Sequence, residues 1–232
     1  MVKIPTGCKC IDSNTGGGIL PETVTLIYGE PETGKTTLAM QCAVNCAVQN
    51  YKVLFVDCDN TFYTKRLSQI SKDRFDEVAE RIILVKPRNF REQTVVIDYI
   101  QDYASKNVGL IIIDTFTSLY GAQVCETSGK TAFGVNRELN RQLAILGQTV
   151  KIRKIPVIIT SQVRSVFNEG STSVRPVANR VLKFWADTII AMKPTDYPQT
   201  IKVVLEKAKE IAQEVTCYVQ IGEVGIQDTR FP

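Results

Sequence analysis

Residues 29–36 read Gly29-Glu30-Pro31-Glu32-Thr33-Gly34-Lys35-Thr36, the G-x-x-x-x-G-K-[ST] pattern of a phosphate-binding loop. Such a match carries weight between a strand and a helix, and both flanks comply. Thr23 to Tyr28 is an apolar run of strand length, and after Lys35 the residues Leu38, Ala39, Cys42, Ala43 and Cys46 recur at helical spacing. The glycines let backbone N–H groups close around phosphate oxygens, where a helix N-terminus adds partial positive charge. Lys35 is expected to reach the β and γ phosphates, and the Thr36 hydroxyl to take a place on Mg²⁺. The expected nucleotide contacts are Gly29, Glu30, Pro31, Glu32, Thr33, Gly34, Lys35, Thr36 and Thr37, with ATP and Mg²⁺ as cofactors.

Further strand-like runs are apolar throughout: Val53 to Val56, Ile82 to Val85, Leu110 to Ile113 and Val157 to Thr160. That composition suits parallel strands covered on both faces. Helix-compatible stretches separate them, the longest being Phe90 to Lys106 and Ala132 to Lys154, the second ended by Ile155-Pro156. After Trp185 the pattern changes to short runs, Thr188 to Ala191, Thr200 to Leu205 and Val215 to Ile221, joined by turn material. The expected fold is α/β: a mostly parallel sheet flanked by helices, with a C-terminal antiparallel extension. The 232 residues, 44% of them apolar, suit one domain.

Two of these runs end in acids. Leu110-Ile111-Ile112-Ile113-Asp114 is the Walker B pattern, in which Asp114 holds Mg²⁺ beside the loop. Val53 to Val56 leads into Asp57-Cys58-Asp59, and alternation puts Phe55, Asp57 and Asp59 on one side and Leu54, Val56 and Cys58 on the other. Either acid could face the γ-phosphate. Gln162 ends another strand and could sense that phosphate. Three strand ends thus converge on the edge where open α/β sheets bind ligands.

Composition removes several alternatives. The chain has no histidine, so imidazole metal sites and Ser-His-Asp or Cys-His catalysis are excluded. Its seven cysteines lack zinc spacing and are expected to be reduced, small and buried. No run is long enough to span a membrane, and the N-terminus lacks the features of a secretory signal; a cytoplasmic, nucleoid-associated protein is the expectation. The net charge of +4 is unevenly distributed. Lys130 to Lys183 holds ten basic and two acidic residues, net +8, and the remainder is net −4. One side of the domain is therefore expected to face a polyanion.

The order and spacing of these segments resemble the RecA-type recombinase superfamily, most closely its archaeal RadB branch. Ile4 to Asp12 with Gly16-Gly17-Gly18-Ile19 is similar to the family's opening segment. Val56-Asp57-Cys58-Asp59-Asn60-Thr61-Phe62 resembles I-D-T-E-N-T-F, with Arg66-Leu67 at the end of the following R-P-E-R-[LI]. Ile113 to Tyr120 resembles V-D-S-L-T-S-L-Y, Thr160-Ser161-Gln162-Val163 resembles T-N-Q-V, and Arg175-Pro176 begins the R-P-I-G-G segment. The resemblance implies a RecA-like P-loop ATPase core over residues 1–232. It gives Asp59 the place of the glutamate that orients the attacking water, beside Lys35 and Gln162 in the catalytic group, and gives Arg66 the place of an arginine stacked on adenine. Gly121 to Asn136 and Val163 to Asn179 correspond to two DNA-facing loops, which makes Arg137, Arg164, Phe167, Arg175 and Arg180 the expected DNA contacts. Lys207-Ala208-Lys209 resembles a K-H-R that closes the site from a neighbouring subunit, so Lys207 and Lys209 are expected trans contacts.

Departures from the pattern carry expectations of their own. Asp59 is one methylene, about 1.5 Å, shorter than glutamate, and misplacement by about 1 Å can cost on the order of 100-fold; slow hydrolysis follows. The motifs begin almost at Met1, with no room for an N-terminal DNA-binding or polymerisation domain. The second DNA loop is shorter than in strand-exchange recombinases, and Ala178-Asn179-Arg180 stands where two glycines and an Asn or His are usual. The expected function is an ATP-binding accessory factor of homologous recombination and repair, without autonomous strand exchange. Its expected partners are single-stranded or branched DNA and a full-length recombinase or junction-processing nuclease. The alternatives are a KaiC-like regulatory ATPase acting through protein association and, third, a small-substrate P-loop kinase.

Overall fold

The computed structural model describes residues 3–104, 107–127, 130–168 and 171–229, the side chains of 130–131, 164–168 and 171–176 excepted. In chain order its elements are α1 (Lys9–Asn14), β1 (Val24–Gly29), α2 (Lys35–Ala47), β2 (Lys52–Asp57), α3 (Thr64–Ser71), α4 (Phe75–Ala79), β3 (Ile82–Val85), α5 (Phe90–Asp98) and α6 (Ile100–Tyr103). There follow β4 (Val108–Asp114), α7 (Ser118–Glu126), α8 (Lys130–Arg153), β5 (Val157–Ser161), β6 (Val163–Asn168), β7 (Ser171–Pro176), α9 (Asn179–Trp185), β8 (Thr188–Pro194), β9 (Thr200–Lys207), β10 (Val215–Gly222) and β11 (Gly225–Asp228).

Among the described residues, nine strands form one sheet in the order β11-β10-β9-β8-β1-β5-β4-β2-β3. The six from β8 to β3 are parallel, and β9, β10 and β11 are added antiparallel. The expected architecture is thus the observed one. Every residue of β1, β4 and β5 is buried, which is why those runs are apolar without alternation.

The sheet separates two cores. Phe55, Ile27 and Ile112 pack with Leu38 of α2 and Leu67 of α3. On the other face Leu54, Leu26 and Ile113 pack with Ile97 of α5, Leu143 of α8 and Leu182 of α9. Leu54, Val56 and Cys58 share the second core, as strand alternation requires. Because the central strands are parallel, Gly29, Asp57, Asp114 and Ser161 all finish at one edge.

Two expectations are corrected. The helix read over Phe90 to Lys106 is broken: α5 ends at Asp98, Tyr99 takes φ −94° and ψ 10°, and α6 is one turn. The β-branched run Thr94 to Ile97 weakens helix propensity there. The cysteines are not all reduced, because Cys10 of α1 is bonded to Cys217 of β10. The fold lays the first helix against the last hairpin, and Asp228 fixes the contact by accepting from the Lys9 and Cys10 N–H groups at 2.9 and 3.3 Å. Nor are all the cysteines buried, since the free Cys125 is exposed; Cys8, Cys42, Cys46 and Cys58 are buried free thiols, raised by desolvation, to about 12 for Cys8 and Cys46.

Candidate functional site

The phosphate loop begins where β1 stops. A Cβ at Gly29 would lie 2.1 Å from the Met192 carbonyl oxygen, so the strand passes too close to β8 for any side chain. Gly34 has φ 87° and caps α2, and among the described residues no side-chain cap bonds the helix N-terminus. The first-turn N–H groups of Lys35, Thr36 and Thr37 are therefore left for a ligand. Inside the loop, Thr33 Oγ1 donates to the Glu30 carbonyl at 2.8 Å and Lys35 Nζ to the same oxygen at 2.6 Å. Lys35 is 8% exposed; burial lowers its pKa, opposed by the charges of Asp114, Asp59 and Glu30. Such an ammonium gains when an anion replaces a carbonyl as its partner.

Asp114 is fully buried at the end of β4. It accepts from Thr36 Oγ1 at 2.8 Å, Thr61 Oγ1 at 3.3 Å and Thr160 Oγ1 at 2.6 Å. Desolvation raises its pKa, these hydrogen bonds lower it, and nearby Asp57 adds to the rise. Among the described residues no three acids or cysteines group as a metal site. Thr36 and Asp114 give a hard cation two oxygen ligands only, which suits Mg²⁺ held jointly with phosphates. The loop, Lys35 and this pair fit Mg²⁺-ATP.

The two acids after β2 part company. Asp57 is 1% exposed and is spent locally, accepting from the Thr61 and Phe62 N–H groups, each at 3.0 Å, with Lys86 Nζ at 3.3 Å. Asp59 instead turns along the strand edge, accepting from Ser118 Oγ at 2.7 Å and Gln162 Nε2 at 3.3 Å. Gln162 lies between β5 and the β6–β7 hairpin, so Asp59 joins the ends of β2, β4 and β5.

Beside the loop lies a cleft of about 690 Å³ bounded by Glu32, Thr37, Arg66, Gln199, Ile221 and Gly222. Arg66 donates to the carbonyls of Gly222 at 2.9 Å and Glu223 at 2.8 Å, which fixes its guanidinium plane against the β10–β11 turn. Sequence reasoning missed the wall formed by Gln199, Ile221 and Gly222, because it is assembled from the C-terminal strands. It also missed Ser118, Thr61 and Thr160, although each falls within a quoted motif.

The expected DNA contacts are dispersed over neighbouring elements. β6 and β7 pair antiparallel, Arg164 opposite Arg175; the side chains of Arg164, Phe167 and Arg175 lie outside the described set. Arg137 on α8 and Arg180 on α9 are exposed. Lys207 and Lys209 sit at the opposite end of the sheet, where Lys207 pairs with Ile189 near the start of β8 and donates to the Ala186 carbonyl at 2.6 Å. They cannot reach the loop of their own chain.

Comparison with known proteins agrees with this geometry. Residues 1–229 match the Rad51 family model. The chain is 32% identical over 228 residues to the DNA repair and recombination protein RadB of Thermococcus kodakarensis, covering 97% of this chain and 99% of that one. It is 33% identical to RadB of Archaeoglobus fulgidus over 97% of each chain. A crystal structure of the RadB recombinase superposes with a TM-score of 0.82 at 33% identity, covering 98% of this chain and all of that one. No described helix is long and apolar enough to cross a membrane. With a RecA-like sheet, a phosphate loop at its strand edge and full-length similarity to these relatives, the chain belongs to the Rad51 family of recombination and repair proteins, in its RadB group.

Proposed function

We propose that this chain is a single ATP-binding core that serves homologous recombination as an accessory factor, turning ATP over slowly and binding single-stranded or branched DNA without sequence preference. The observation that carries this reading is the Asp59–Gln162 contact at 3.3 Å. It joins the carboxylate beside the phosphate loop to the residue from which the hairpin starts, so both ligands meet one short segment.

When bound, Mg²⁺-ATP supplies the γ-phosphoryl group and its leaving diphosphate. The chain's own groups then divide the work. Lys35 and the free N–H groups of α2 hold phosphate oxygens, Thr36 and Asp114 hold the cation, and Arg66 offers its plane to the base. Asp59 orients the attacking water from a position one methylene short, which supports slow hydrolysis. Lys207 and Lys209 serve a neighbouring protomer's site, as their place at the far end of the sheet supports. Ala178, at φ 55° in the left-handed region, takes the backbone conformation that favours glycine. A full-length recombinase or a junction-processing nuclease is the protein partner that fits a core without strand exchange of its own.

Fluorescence anisotropy of a labelled oligo-dT strand, with and without Mg²⁺-ATP and over a salt series, tests the reading. Binding that weakens steeply with salt and responds to ATP is expected. No binding at low salt, alone or with the cognate recombinase, would favour a regulatory ATPase acting through protein association.

A further inference from the structure

Two of the most exposed large apolar side chains lie on neighbouring helices. Phe133 on α8 is 72% exposed and Phe184 on α9 is 75% exposed. Single exposed aromatics need no explanation, but each of these has an exposed arginine one turn away, Arg137 at i+4 from Phe133 and Arg180 at i−4 from Phe184.

The helices are locked in place. Trp185 Nε1 donates to Asn140 Oδ1 at 3.0 Å, and the Trp185 ring covers Gly147 so closely that a Cβ there would lie 2.9 Å from it. Phe184 meets the Trp185 ring edge-on, centroids 5.4 Å apart. Because Phe133, Arg137 and Asn140 form one stripe of α8, the Trp185–Asn140 bond sets Phe184 at the end of that stripe. The stripe rises about 10 Å, the length of about three stacked nucleotides.

The surface has an unusual charge balance. Neither Arg137 nor Arg180 makes an ion pair among the described residues, and neither covers a described ring. The single acid on α8 and α9 is Glu138, taken by Arg141 at 2.8 Å. Lys183 is turned inward to Glu206 and Tyr28. Among the described residues, what remains outside is an aromatic, two guanidinium groups without an ion pair and a second aromatic.

We infer that the outer face of α8 and α9 is a stacking track for single-stranded nucleic acid, with Phe133 and Phe184 as base platforms and Arg137 and Arg180 as phosphate contacts. The inference rests on the DNA-binding reading above and extends it beyond the hairpin, since α9 follows the hairpin directly. A duplex offers no open base faces to stack, whereas every base of a single strand does. A second copy of the chain fits poorly, because isologous pairing would oppose arginines to arginines with no acid between them.

Trp185 is the chain's sole tryptophan and reports on the track directly. Its emission should change on titration with oligo-dT and hold steady with duplex of equal length. Phe133→Ala and Phe184→Ala should each weaken oligo-dT binding about tenfold, with Phe184→Tyr restoring most of it. Arg137→Gln and Arg180→Gln should each lower the slope of log affinity on log salt by about 0.7. If all four substitutions bind as the unsubstituted protein does while Arg164→Ala and Arg175→Ala lose binding, the hairpin alone holds the strand; the inference then fails and the DNA-binding reading stands. If the unsubstituted protein binds no oligonucleotide, that reading fails and the track with it. A dimer in sedimentation that Phe184→Ala dissolves would also overturn the inference, by making the occupant another copy.

Discussion

The nucleotide edge and the outer face of α8 and α9 lie on the same domain and are built in opposite ways. At the edge, Lys35, Thr36, Asp59, Asp114 and Gln162 each have a partner within the protein. On the outer face Arg137 and Arg180 have no described ion pair, and two phenylalanines stand in solvent. A compact ligand with fixed charges rewards groups already in position, since ordering them on binding would cost affinity. A flexible polymer rewards open charge and open rings. One region holds its polar groups in internal contacts, and the other leaves its described groups exposed.

That contrast can be broken first at the disulfide, which ties β10, a wall of the nucleotide cleft, to α1. Cys10→Ser should destabilise the oxidised protein by about 2–4 kcal/mol, measured by denaturant unfolding, and leave oligo-dT affinity unchanged at temperatures where the variant is folded. Equal stability of oxidised and substituted protein would remove the tie from the account. Next in size, Lys35→Ala should weaken ATP about 10- to 100-fold in calorimetry, the worth of one charged hydrogen bond; a loss on that scale in oligo-dT binding without nucleotide would mean the two regions are not separate.

Asp114→Asn should act with opposite signs. The folded pKa of Asp114 is raised above its ordinary 3.8, so the folded state holds that proton longer and the side chain's contribution to stability is lost as pH rises through the folded value. At neutral pH its ionised form is a cost, and Asp114→Asn should raise the ligand-free melting temperature while abolishing the further rise given by Mg²⁺-ATP. The smallest effect is expected for Ala178→Gly. Relief of the left-handed backbone and the greater freedom of the unfolded chain nearly cancel, leaving a change within about 1 kcal/mol.

Much of the nucleotide edge was legible because it is written in short range. Gly29 to Thr36, the apolar run ending at Asp114 and Gln162 after Val157 to Ser161 each combine a local period with a terminal polar residue, and parallel strands bring such ends together. What escaped depends on distant chain. The cleft wall at Ile221 and Gly222 and the carbonyls that hold Arg66 come from the last hairpin. Cys10 and Cys217 are 207 residues apart, beyond any spacing rule. Asp57 and Asp59 were indistinguishable by alternation, and only the turn at Thr61 and Phe62 separates them. The exposure of Phe133 and Phe184 is set by how α8 and α9 pack on the sheet, which no local spacing shows.

In the proposed function Asp59 orients the attacking water with a carboxylate one methylene short of the place the reaction needs. Single-turnover hydrolysis of Mg²⁺-ATP by the unsubstituted protein and by Asp59→Glu tests it most directly. A rate increase of about 10- to 100-fold in Asp59→Glu, with ATP affinity unchanged, is the expected result. An unchanged or lower rate at full ATP occupancy would contradict it and take the water-orienting role away from Asp59.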